Sequence, residues 1–172
     1  MDKQAEAALK RVIGMLEAIL VREIGLHREL IVLAGDKRES ILKGDLEKME
    51  KTVTAEKRLV TMIGDEERKR RAVMPLLKSG LGLDNSVERL EEIIRVFPEP
   101  ERGKMGAVRA ELLEAVEAVQ MKSRHNAELL KASLAHVEAF FRGIVESAGA
   151  DSTYGRNGGR IGNGPAIIDR SA

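Results

Sequence analysis

The chain has 172 residues, 43% hydrophobic, 33% charged and only 2% aromatic, with 29 Lys and Arg against 28 Asp and Glu. So few aromatics exclude a β-sandwich or barrel, whose strands draw on aromatic and β-branched residues, while the wealth of Leu, Ala, Glu, Lys and Arg suits long helices and coiled coils. The net charge of +1 points to neither nucleic acid nor a membrane surface as partner, and the lack of cysteine removes disulfides, Cys-ligated zinc, iron–sulfur clusters and thiol chemistry.

The first segment carries a heptad stripe: Leu9, Val12, Leu16, Ile19, Glu23, Leu26, Leu30 and Leu33. Only Glu23 breaks it. Ile13, Leu20 and Ile24 widen it to the face of a helix that packs on two neighbours. The spacing predicts a helix over about 3–42. Two Gly-Asp pairs follow, Gly35-Asp36 and Gly44-Asp45. Gly suits the position just past a helix and Asp the next N-cap. The second pair is chosen as the turn, because a new stripe (Leu46, Met49, Val53, Val60, Ile63) starts directly after it. The second helix is expected over about 45–78, antiparallel to the first across so short a connection.

Pro75 and Ser79-Gly80-Leu81-Gly82 are expected to end that helix. Ser86 is a candidate cap for a short helix over about 86–96, with Leu90, Ile93, Ile94 and Phe97 as its apolar face. The Phe97-Pro98-Glu99-Pro100 stretch stops it. The last long helix is expected over about 101–148. Its stripe runs Met105, Val108, Leu112, Val116, Val119, Ser123, Asn126, Leu130, Ser133, Val137, Phe140 and Ile144. After Gly149 all periodicity is lost, and residues 149–172 read as a flexible Gly-rich tail. The expected fold class is therefore all-α. It is an elongated antiparallel helical bundle or coiled coil over 1–148, of three long helices plus one short helix, with a flexible C-terminal tail.

Chemical signatures were sought and are not found. Gly159 and Gly164 have the spacing of a phosphate loop, but Pro165 stands where the lysine must be. A di-iron bundle needs Glu three residues before His, and the residues there are Ile24, Lys122 and Ser133. His125 and His136 share a helix face but are three turns, roughly 16 Å, apart. Glu23 and His27 are one turn apart with no further ligands evident. No catalytic residue, metal or cofactor is expected. The run Arg68-Lys69-Arg70-Arg71 reads as a solvated helix surface balanced by Glu66 and Glu67. No apolar run reaches the roughly 20 residues that span a bilayer. The start of the chain lacks the basic flank and apolar core of a signal peptide, so a cytoplasmic protein is expected.

Three features remain. Asn126 has two readings, a buried residue that fixes helix register or a polar contact on a binding face. Phe140 is expected in the core at the end of the bundle, and Phe141, about 100° round the helix, is then available to a partner. Tyr154 is the single tyrosine, in a segment with no core to join, and reads as a docking anchor.

The layout resembles the FlgN-type flagellar export chaperones, which hold hook–filament junction proteins before type III secretion. Three segments carry the likeness. Leu42-Lys43-Gly44-Asp45-Leu46-Glu47, followed by Glu56-Lys57-Arg58-Leu59 and Arg68-Lys69-Arg70-Arg71, is similar to the family's turn and charged second helix. His125-Asn126-Ala127-Glu128-Leu129-Leu130 resembles its Asn-x-x-Leu-Leu segment, and Thr153-Tyr154-Gly155-Arg156-Asn157-Gly158 its Tyr-Gly tail. The resemblance implies that the C-terminal helix binds the assembly-prone terminal segment of a hook-associated protein. Asn126, Leu129, Leu130, Leu134, Val137, Phe140 and Phe141 are then the substrate-protein candidates. It further implies that Tyr154, with Gly155, docks on the cytoplasmic domain of the export gate. From the heptads alone, the rival reading is a structural coiled-coil adaptor or self-assembling rod with no secreted client.

Overall fold

The computed structural model describes residues 3–84 and 86–151, with side chains as far as Glu146. Four helices and no strand occur among these residues: α1 Lys3–Lys43, α2 Leu46–Leu81, α3 Leu90–Arg95 and α4 Glu101–Asp151.

The α1–α2 connection is the Gly44-Asp45 pair. Gly44 takes φ 65°, a left-handed conformation that costs glycine little. Its N–H donates to the Ile41 carbonyl at 3.3 Å and that of Asp45 to the Ser40 carbonyl at 2.9 Å, the paired bonds of a Schellman close. The Asp45 carboxylate accepts from the Lys48 N–H at 2.9 Å and caps α2. Gly35-Asp36 passes inside α1 as ordinary helix.

Two expectations about the middle of the chain change. Pro75 does not end α2; it lies within the helix, which runs on to Leu81 and closes at Gly82 (φ 64°). Val73 and Leu77 are buried on either side of it, and that packing holds the helix through one missing hydrogen bond. Ser86 does not cap α3. The Asp84 carboxylate accepts from the Ser86 N–H at 2.7 Å and the Asp84 carbonyl from the Val87 N–H at 3.2 Å. The chain is thus held in a turn there, and α3 starts only at Leu90.

The chain divides into two compact units, Met1–Lys131 and Ala132–Ala172. In the first, α2 runs antiparallel to α1, with Lys37 paired to Glu56 at 2.6 Å and Arg70 to Glu23 at 3.5 Å. α4 runs in the same direction as α1: Lys104 meets Glu17 at 2.8 Å, and Asn126 donates to the Ala34 carbonyl at 2.7 Å. One core cluster joins Leu9, Ile13, Leu16 and Leu20 of α1 to Val73 and Leu77 of α2, Ile93 and Ile94 of α3, Phe97 and Met105. A smaller one holds Leu26, Leu30 and Leu59. Each fully buried Leu or Phe contributes about 1.5–3 kcal/mol, which is how a six-residue α3 persists although too short to be stable alone.

The break in the α1 stripe is real. Glu23 is 3% exposed. Its Oε1 and the Arg70 Nε are both buried without a hydrogen bond, 3.5 Å apart. Burial pushes the Glu23 carboxyl above the usual carboxylate range, and the Arg70 guanidinium only partly offsets that. The reverse holds at the hairpin. Hydrogen bonds from Lys43 and Lys48 pull the exposed Glu39 carboxyl down to about 2.

These positions predict stability changes. The protonated Glu23 is favoured in the folded state, so its contribution is fully present below about pH 4.5 and is lost as pH rises through its raised folded value. Urea unfolding of Glu23→Gln should lack that alkaline-side loss. The Glu23→Leu/Arg70→Met double variant, which completes the stripe without stranding the buried Arg70 Nε, should be more stable than the parent near neutral pH by about 1–4 kcal/mol. A double variant less stable than the parent would refute this account.

Candidate functional site

The chemistry of α4 changes along its length. Met105, Val108 and Leu112 join the larger core cluster and Val119 packs on the smaller one, whereas Leu113 is exposed; beyond Ala115, Asn126 is the one buried residue among the described side chains. The Asn126 amide donates to the Ala34 carbonyl, which selects the first of its two readings: it ties α4 to α1 from inside the bundle rather than facing outward.

The apolar residues after it are largely exposed. Leu129 is half-buried. Leu130 is 46% exposed, Phe140 65% and Phe141 60%, and Leu134, Val137, Ile144 and Val145 are exposed as well. Leu130, Leu134, Val137, Phe141 and Ile144 are spaced four, three, four and three apart, so they form one narrow seam along the helix. Phe140 and Val145 stand at its two edges.

The expectation that Phe140 fills the core is therefore corrected. Both rings are exposed and lie edge to face with centroids 6.1 Å apart, an arrangement that aromatic quadrupoles favour. Adjacent helical residues diverge too widely to share one buried neighbour, but rings this large can still meet each other. The pair thus presents one broad aromatic surface.

Lys131, His136, Glu138, Arg142 and Glu146 are interspersed with the seam and mix both signs. Contiguous exposed apolar strips rimmed by polar groups mark sites of interaction with a protein, a membrane or a ligand. Among the described residues no three His, Asp or Glu are grouped to hold a metal ion, and no helix is long and apolar enough to cross a membrane. Tyr154 and Gly155, the docking candidates of the tail, lie outside the described residues.

Sequence reasoning overlooked a second apolar surface. Val21 and Val32 of α1 are 51% and 65% exposed. They belong to a stripe with Ala18 and Gly25 on a different face from Leu9 and Leu16. Its signal was legible as spacing, but small residues among charges give it little hydrophobic contrast.

Comparison with known families matches the chain to the family described as FlgN protein, over residues 13–160. Neither curated proteins nor solved structures give a match to the chain.

The site predicts a contrast in stability. Asn126→Ala removes a buried hydrogen bond and should cost about 1–2 kcal/mol in urea unfolding. Phe141→Asp removes an exposed ring and should stay within about 0.5 kcal/mol of the parent. Equal losses in the two variants would mean that Phe141 is packed after all.

Proposed function

The chain belongs to the FlgN family of flagellar export chaperones, and from that membership we propose that it is a cytoplasmic chaperone for hook-associated proteins. It would mask the assembly-prone terminal helix of such a client and deliver the client to the export gate. The observation that carries this reading is the exposed seam on α4. Five large apolar residues at heptad spacing, Phe141 among them, with Phe140 and Val145 at the two edges, are a surface of the kind that an amphipathic helix covers.

The energetics suit a temporary complex. Each buried Leu, Val or Phe contributes about 1.5–3 kcal/mol. Association and ordering subtract about 4–15 kcal/mol. The affinity is the surplus of the first over the second, so it is set by how many of these side chains a client covers. A client that polymerises through its own apolar stripe cannot do so while that stripe lies against Leu130, Leu134, Val137, Phe140 and Phe141, with Leu129 beside them. Asn126, buried below the seam, acts here by holding the helix in register rather than by touching the client.

Tyr154, with Gly155, is proposed as the contact to the cytoplasmic domain of the export gate. A lone aromatic among glycines is an anchor whose contact does not compete with the helix seam. Client and gate contacts are thereby separated along the chain.

Two variants separate these roles. The Leu130→Asp/Phe141→Asp double variant should keep the parent's circular dichroism and lose pull-down of a purified hook-associated protein. Undiminished capture by the folded double variant refutes the seam as the client site. Tyr154→Ala should leave capture unchanged and weaken the calorimetric heat of binding to the gate domain; parent-like gate binding refutes the anchor.

A further inference from the structure

The α1–α2 hairpin has a face that neither the core nor α4 uses. At about 100° per residue, α1 turns three sets of side chains in different directions. Leu9, Leu16 and Leu30 join the α1–α2 packing. Ile13, Glu17 and Ala34 meet α4. The third set, Ala18, Val21, Gly25, Glu29 and Val32, lines a groove that opens on the other side of the hairpin from α4. Its deeper part, about 700 Å³, lies between α1 and α2, with Val32, Leu33, Ala55, Leu59 and Met62 in its walls. A shallower part, about 440 Å³, continues along α1 past Gly25 and shares Glu29 with the first.

Three properties of this groove bear on what it holds. Its floor is apolar, and the Thr54 hydroxyl within it donates to the Glu50 carbonyl at 3.0 Å, which leaves its methyl for contact. Its rim is basic. Arg22 and Arg58 make no ion pair among the described residues, and Lys51 pairs only with Glu47 one turn back, both well exposed. Glu29 is the single acid among the lining residues. Finally, Gly25 has no internal reason to be glycine. A Cβ built there meets nothing within 4 Å, although glycine in a helix interior weakens the helix. A bare backbone at that point lets another helix approach closely, since interaxial distance is set by the side chains at the contact.

We propose that this groove is a second protein-docking site, separate from the α4 seam, and that its occupant is an amphipathic α-helix whose apolar stripe is flanked by Asp and Glu. The helix lies along α1 and α2, its apolar residues over Val32, Leu59 and Met62. Its acids meet Arg22, Arg58 and Lys51, and its closest approach is at Gly25. Packing of this kind adds a further helix to the bundle, and the charge pairing selects the partner and speeds the encounter more than it adds affinity.

The test uses the full chain and two fluorescein-labelled 18-residue peptides of Ala, Leu and one charged residue. Both have Leu at heptad a and d; one has Glu at the flanking positions, the other Lys. Fluorescence anisotropy should show saturable binding of the Glu peptide, weaker at higher salt, and at least about tenfold weaker binding of the Lys peptide. Gly25→Gln fills the floor, yet has room in the fold and improves the helix, so it should remain folded. It should weaken the Glu peptide at least about tenfold, as should Arg58→Glu. Phe141→Asp should leave that binding unchanged. Equal binding of the two peptides, or parent-like binding to Gly25→Gln, overturns the proposal. So does loss of binding in Phe141→Asp, which would put the peptide on the α4 seam. A dimer seen by light scattering that Gly25→Gln converts to monomer makes the occupant a second copy and overturns it too.

Discussion

Gly44, held in a left-handed turn between two long helices, sets the register on which the rest of the first unit depends. Its φ of 65° lets Asp45 both close α1 and cap α2 within two residues. A connection this short allows no slack. Once it forms, residue n of α1 faces a fixed partner in α2 throughout, as the Lys37–Glu56 and Glu23–Arg70 pairs record. The resulting pair of stripes is the template for everything packed on it. Phe97 and α3 fill the core at the far end from the turn, beside Leu9, Leu77 and Met105. α4 then docks along α1.

Hydrophobic contact alone would let α4 slide, because a heptad stripe presents nearly the same surface every seven residues. Asn126 restricts that freedom. Its buried amide has the Ala34 carbonyl as its partner, and a register that moves it away from a backbone acceptor leaves the amide unpaired inside the protein. Glu23 is the opposite kind of buried polar residue. Its Oε1 finds no hydrogen bond, and burial raises its proton affinity. It weakens the fold locally where Asn126 specifies it. Neither effect follows from residue type. Both follow from whether a partner stands within reach.

The few aromatics divide along the same line. Phe97 is 2% exposed and belongs to the core, whereas Phe140 and Phe141 are exposed. In a fold whose core is built from Leu and Ile, two adjacent surface phenylalanines at the end of a long helix are poorly explained by stability and well explained by association.

Much of this was legible in the sequence because helices write their packing into a period. The heptads of α1 and α2, the Gly44-Asp45 turn, the all-helical class and the apolar end of α4 all follow from local rules of spacing and capping. What was not legible depended on which surfaces meet. Pro75 looks like a helix end, and only the packing of Val73 and Leu77 carries α2 past it. Ser86 looks like a cap, but the turn at Asp84 occupies that stretch and α3 starts only at Leu90, with Arg89 at the N-cap position. Phe140 continues the same stripe as the buried Met105, and periodicity cannot say where along a helix its neighbours end. The sequence by itself determined that the chain folds as long amphipathic helices with a tight hairpin. Only the tertiary structure decided which apolar stripes are core and which are open, because burial belongs to pairs of surfaces and a sequence specifies one surface at a time.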